Sequence, residues 1–117
     1  MRSLAEQRKS YVERLERAVA ELPDRLAAMP AVHRAILFGS WVRGRRDLLT
    51  DLDLVVILES DLPFPDRAAA LHRDLGLDVD ADILAYTPGE WERVRHRPMM
   101  RRVADEGRVL YERRSGP

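Results

Sequence analysis

The apolar run Leu52-Asp53-Leu54-Val55-Val56-Ile57-Leu58 constrains the chain more than any other stretch. It is too short for a typical helix and rich in β-branched and aliphatic residues, which predicts a buried strand. Asp51 and Asp53 stand at its start. Side chains alternate across a strand, so these two carboxylates share a face, roughly 6.5 Å apart along the backbone. Ionised carboxylates at that separation repel unless a cation lies between them or one takes up a proton. Oxygen ligands near the mouth of a sheet suit Mg²⁺, which completes its shell with phosphate oxygens and water. The stretch therefore points to phosphoryl or nucleotidyl transfer.

A second half of such a site lies just upstream. Ala35-Ile36-Leu37-Phe38 reads as the end of a strand, and Gly39-Ser40 comes next, with a short helix expected over 40–45. A strand running into Gly-Ser leaves backbone N–H groups free for an anion. Gly39 lets a phosphate approach the main chain, and the Ser40 hydroxyl can cap the helix or donate to a phosphate oxygen. Arg43, Arg45 and Arg46 add positive charge; Arg45 and Arg46 also read as ordinary solvated side chains.

Gly39-Ser40, ten residues, then Asp51-x-Asp53 resembles the signature of the nucleotidyltransferase superfamily that includes DNA polymerase β, and in particular its minimal branch, the MNT proteins. The resemblance spans roughly residues 32–112. It implies that Gly39 and Ser40 hold a triphosphate, that Arg43 contacts phosphate or partner, and that Asp51 and Asp53 hold two Mg²⁺. It also implies a third carboxylate on a later strand. Asp78, Asp80 and Asp82 alternate along an expected third strand, 78–86. Asp82 is the better match, because Ile83-Leu84-Ala85-Tyr86-Thr87-Pro88 resembles the segment after the third carboxylate in MNT proteins; Asp80 is the runner-up. Trp41 and Val42 depart from the family pattern, and the indole has two readings, stacking on a base or packing under the loop. Thr50 keeps the hydroxyl of a frequent serine.

The chain has 117 residues, room for one domain over 1–117, with a helix over 3–29 and a core over about 32–112. Twenty basic and twenty acidic residues cancel, which lacks the basicity expected of a dedicated nucleic-acid binder. Without cysteine there is no disulfide, thiolate metal site or thiol nucleophile. No apolar run is long enough to span a membrane, and the N-terminus is charged and helical rather than signal-like, so a cytoplasmic protein is expected. Nineteen arginines against one lysine, with no asparagine, fit either a thermophile or a GC-rich genome.

Leu4, Tyr11, Leu15, Val19, Leu22 and Leu26 recur at helical spacing after Ser3, and Pro23 is expected to end or kink that helix. The stripe suits packing on the sheet, or a dimer or partner surface. Further helices are expected over 66–75 (capped by Asp66), from Thr87-Pro88-Gly89-Glu90, and over 99–106, with Val109-Leu110-Tyr111 as an edge strand and Glu112–Pro117 loose. His72 has no second ligand at suitable spacing. The expected architecture is an α+β nucleotidyltransferase fold, a small three-stranded mixed sheet with helices packed on one side.

The reaction implied by the resemblance is attack of an acceptor hydroxyl on the α-phosphate of ATP, with Asp82 near the acceptor. Larger superfamily members carry an extra acceptor-binding domain, so the acceptor is expected to come from a partner or to be a loosely held substrate. In MNT proteins this is a HEPN-domain toxin, whose tyrosine receives AMP, and the MNT protein is the antitoxin. Two other readings stand beside it: an antitoxin that acts by binding alone, and a stand-alone enzyme with a small-molecule or nucleic-acid acceptor. Self-association into a homo-oligomer is compatible with all three.

Overall fold

A computed structural model describes residues 1–114; of the tail expected to be loose, 115–117 lie outside the described residues. Helix α1 runs Leu4–Ala27, and Ser3 caps it by accepting a hydrogen bond from the Glu6 N–H. Leu15, Val19, Leu22 and Leu26 are buried against the sheet, whereas Leu4 is exposed. Pro23 does not end the helix, the first of the two outcomes expected of it. The buried leucines on either side of it, Leu22 and Leu26, anchor both flanking turns to the same core, and this packing outweighs the one hydrogen bond that proline removes.

The expected α+β fold is present, with two of its details corrected. Strands β1 (Val32–Phe38), β2 (Leu52–Leu58), β3 (Ala81–Tyr86) and β4 (Arg108–Glu112) form one four-stranded sheet in the order β3-β2-β1-β4. The fourth strand is the expected edge segment, extended to a full antiparallel partner of β1. β1 and β2 are antiparallel; β2 and β3 are parallel, joined through α2 (Phe64–Asp74).

Helices cover both faces, not one. Leu52, Leu54, Val56, Ile83 and Ala85 pack with α1 and α2, while Ile36, Val55 and Ile57 pack with Trp91 and Val94 of α3 (Pro88–Val94) and Met100 and Val103 of α4 (Pro98–Glu106). Strand alternation explains the division, since β2 turns Leu52, Leu54, Val56 and Leu58 to one side and, after Asp53, Val55 and Ile57 to the other. Helix α2 starts two residues before Asp66, which lies in its first turn and makes no cap; Gly76 lies just past its end at φ +62. α3 carries the full expected capping box between Thr87 and Glu90.

Candidate active site

The site gathers where β1 ends and β2 and β3 begin. Phe38, the last residue of β1, pairs with Asp53, so Gly39 lies against the Asp53 carboxylate. Gly39 has φ +83, and a Cβ there would stand 2.1 Å from Asp53 Oδ2. Both the backbone conformation and the close approach require glycine.

Residues 40–44 form hydrogen-bonded turns rather than the expected helix. The Arg43 N–H donates to Gly39 O and the Arg45 N–H to Ser40 O, which curls the backbone once and then releases it. Trp41 is buried in the core beneath this turn, so of its two readings the packing one is correct. Arg46 lies over the indole, 3.3 Å from the ring centroid, and donates to the Trp41 carbonyl. Arg45 pairs with Asp47 at 2.8 Å. Neither is simply solvated. Arg43 is exposed and makes no ion pair among the described residues.

The loop before β2 is locked from within. Thr50 is fully buried; its hydroxyl accepts from the Asp47 N–H and bonds the Asp47 carboxylate, and its carbonyl accepts the Tyr11 hydroxyl at 2.7 Å. Thr50 thus shapes the backbone that delivers Asp51. Burial, together with the charges of Asp80 and Asp51, pushes the Tyr11 hydroxyl above its ordinary range.

Parallel pairing of β2 with β3 puts Asp82 directly beside Asp53. β3 begins at Ala81, so the expected strand over 78–86 is shortened and Asp78 and Asp80 precede it. The Asp80 carbonyl accepts from the Leu52 N–H, which places Asp80 beside the start of β2. Asp53 has its carboxyl pushed above the ordinary range by burial, then by the charges of Asp82 and Asp51, with Arg43 acting the other way. Among the described residues no three carboxylate or imidazole groups converge as a closed metal cage. A pair of repelling carboxylates beside the Gly39 turn still fits Mg²⁺, which commonly takes one or two carboxylates together with substrate phosphate oxygens.

A cleft of about 380 Å³ opens from this point, lined by Gly39, Arg43 and Asp53 on one side and by Met99, Arg102 and Glu106 of α4 on the other. Sequence reasoning misses these α4 residues. Their spacing marks one helical face, but nothing in a single sequence says that this face meets the Gly39 turn. His72 lies apart, its Nε2 3.2 Å from the Val79 carbonyl.

The model of the nucleotidyltransferase domain family matches residues 12–113. Among solved structures, the chain is similar to a Sulfolobus solfataricus protein assigned as a nucleotidyltransferase, with TM-score 0.53 and 19% identity over 99% of this chain and 93% of that one. It is also similar to the Y104A mutant of the toxin–antitoxin MntA-HpeT, with TM-score 0.51 and 22% identity over 85% of this chain and 73% of that one. At these identities the likeness is one of fold. No curated protein matches the chain. The family match covers nearly the whole described chain, and the protein belongs to the nucleotidyltransferase domain family.

Proposed function

We propose that the protein is a Mg²⁺-dependent nucleotidyltransferase that moves AMP from ATP onto a hydroxyl, that of a tyrosine in a HEPN-domain toxin, and so acts as an antitoxin in the cytoplasm. The observation that carries the reading is the register of Asp53 with Asp82, flush against Gly39, in a cleft flanked by Arg43 and Arg102. The fold likeness to a toxin–antitoxin protein supports the biological setting.

In this reading Asp51, Asp53 and Asp82 hold the metal ions, whose charge neutralises the phosphates and orients the reacting groups. Gly39 and Ser40 present the turn to the β- and γ-phosphates, and Arg43 adds charge where it develops on the leaving pyrophosphate. Asp82 is exposed beside Asp53 and in this reading takes the proton of the incoming hydroxyl. The α4 wall, through Met99 and Arg102, borders the nucleotide. Asp82 pairs in register with Asp53 whereas Asp80 precedes β3, which favours Asp82 as the third carboxylate.

The test uses α-labelled ATP, Mg²⁺ and the candidate toxin, with Asp51→Ala as control. Label on a toxin tyrosine that the control lacks is the expected result. A tight, silencing complex without label would replace transfer by occlusion. Label only on small molecules or nucleic acid would remove the toxin from the account.

A further inference from the structure

The zero net charge conceals a strong segregation. Residues 51–87 hold nine carboxylates against two arginines, whereas residues 88–114 hold eight arginines against five carboxylates. On the α3–α4 face, at the end of β1 remote from Gly39, two depressions of about 310 and 480 Å³ adjoin, sharing Arg34, Trp91 and Arg95. The first adds Arg101 of α4, the second Arg113 and Arg114 beyond β4. Their carboxylates are Asp105, Glu92 and Glu112, of which only Glu92 pairs with an arginine of the groove, Arg95, at 3.3 Å.

Arg34, Arg101, Arg113 and Arg114 form no ion pair among the described residues. The Arg34 Nε is buried and lacks a hydrogen-bond acceptor. A buried N–H without a partner is costly, and Arg34 lines both depressions, so an anion seated there would meet its guanidinium group. The groove has no large exposed apolar anchor: Trp91 is 7% exposed, Ile57 is buried, and none of the large exposed apolar side chains lines it. An interface for a folded protein would be expected to present such an anchor.

We propose that this groove binds the phosphodiester backbone of a single-stranded nucleic acid. Two adjoining depressions with arginines delivered from β1, α4 and the end of β4 suit consecutive phosphates rather than one. With the Trp91 ring buried and the imidazoles of His33 and His96 as the groove's aromatic rings, recognition is mainly ionic, indifferent to sequence and steeply salt-dependent.

Fluorescence anisotropy with a labelled single-stranded RNA of about a dozen nucleotides tests it at low salt. The expected result is saturable binding whose log–log salt slope is about −3, for roughly four neutralised phosphates. Arg95→Glu with Arg101→Glu is expected to weaken binding at least ~30-fold, as two phosphate contacts become repulsions. Arg45→Glu, at the other end of the sheet, is expected to leave it unchanged. Both groove arginines are exposed; if the double variant melts early, Arg101→Glu alone carries the test. Absence of binding, loss through Arg45→Glu only, equal binding of poly-glutamate, or full competition by millimolar inorganic phosphate would each overturn the proposal.

Discussion

At the far end of β3, Glu90 receives two hydrogen-bonding groups, the Arg67 guanidinium and the Thr87 N–H, and its carboxyl is held down at about 2. At the near end, Asp53 stands against Asp82 and Asp51 with only the exposed Arg43 to offset them, and its carboxyl is pushed up. Arg67 is itself satisfied, donating to the Leu62 and Ala85 carbonyls as well as to Glu90. The two carboxylates lie at opposite ends of one strand pair and obey opposite electrostatic logic. A charge that serves the fold is given its counter-ion within the chain; Asp53 is left needing one from outside.

The sharpest way to break this comparison is Asp53→Asn. In the metal-free protein it is expected to raise stability by roughly 1 kcal/mol, a few degrees in melting temperature, since repulsion is relieved. The same change is expected to reduce label transfer about 1000-fold, equivalent to about 4 kcal/mol of barrier, and to erase stabilisation by Mg²⁺ with ATP. A fall in melting temperature of the metal-free variant would refute the repelling cluster. Arg67→Met should do the reverse at the other end: a loss of about 3 kcal/mol, read by urea unfolding, from orphaning Glu90 and two carbonyls. An unchanged midpoint would remove the structural role of the pair.

Gly39→Ala tests the contact that ties the turn to Asp53. A methyl at φ +83, facing Asp53 Oδ2, is expected to cost about 2 kcal/mol in stability and to weaken nucleotide binding, both measurable by thermal shift. The dependence on pH separates the two carboxylates by sign. The Glu90 carboxyl is depressed from its ordinary 4.5, so the stability it adds is present above pH 4.5 and is lost as pH falls through about 2. For Asp53 the sign is opposite: its carboxyl is raised, so its contribution is favourable below 3.8 and disappears as pH rises through the shifted value. Melting curves of Glu90→Gln and Asp53→Asn against the wild type are therefore expected to converge on it as pH falls, from below and from above respectively. Curves that stay parallel would show that neither carboxyl is shifted.

Much of this was legible in the chain itself. The strand from Leu52, the glycine before it and the two aspartates belong to local patterns, because alternation and turn chemistry act over a few residues. The α3 capping box and the left-handed Gly76 closing α2 are local in the same sense. Where those local rules met packing, packing won: Pro23 stays within α1, and residues 40–44 curl without becoming a helix.

What only the tertiary structure decided concerns which surfaces meet. Parallel register brings Asp82 rather than Asp80 beside Asp53, and β3 starts later than its alternation suggested. Two aliphatic faces on β2 admit helices on one side or both, and only the assembled fold puts α3 and α4 on the second face, turning Met99, Arg102 and Glu106 toward Gly39. Sequence determines the period of each element and the chemistry it carries. The rotation of a helix about its axis and the register of distant strands come from packing of the whole, where contacts far apart in the chain share one free energy.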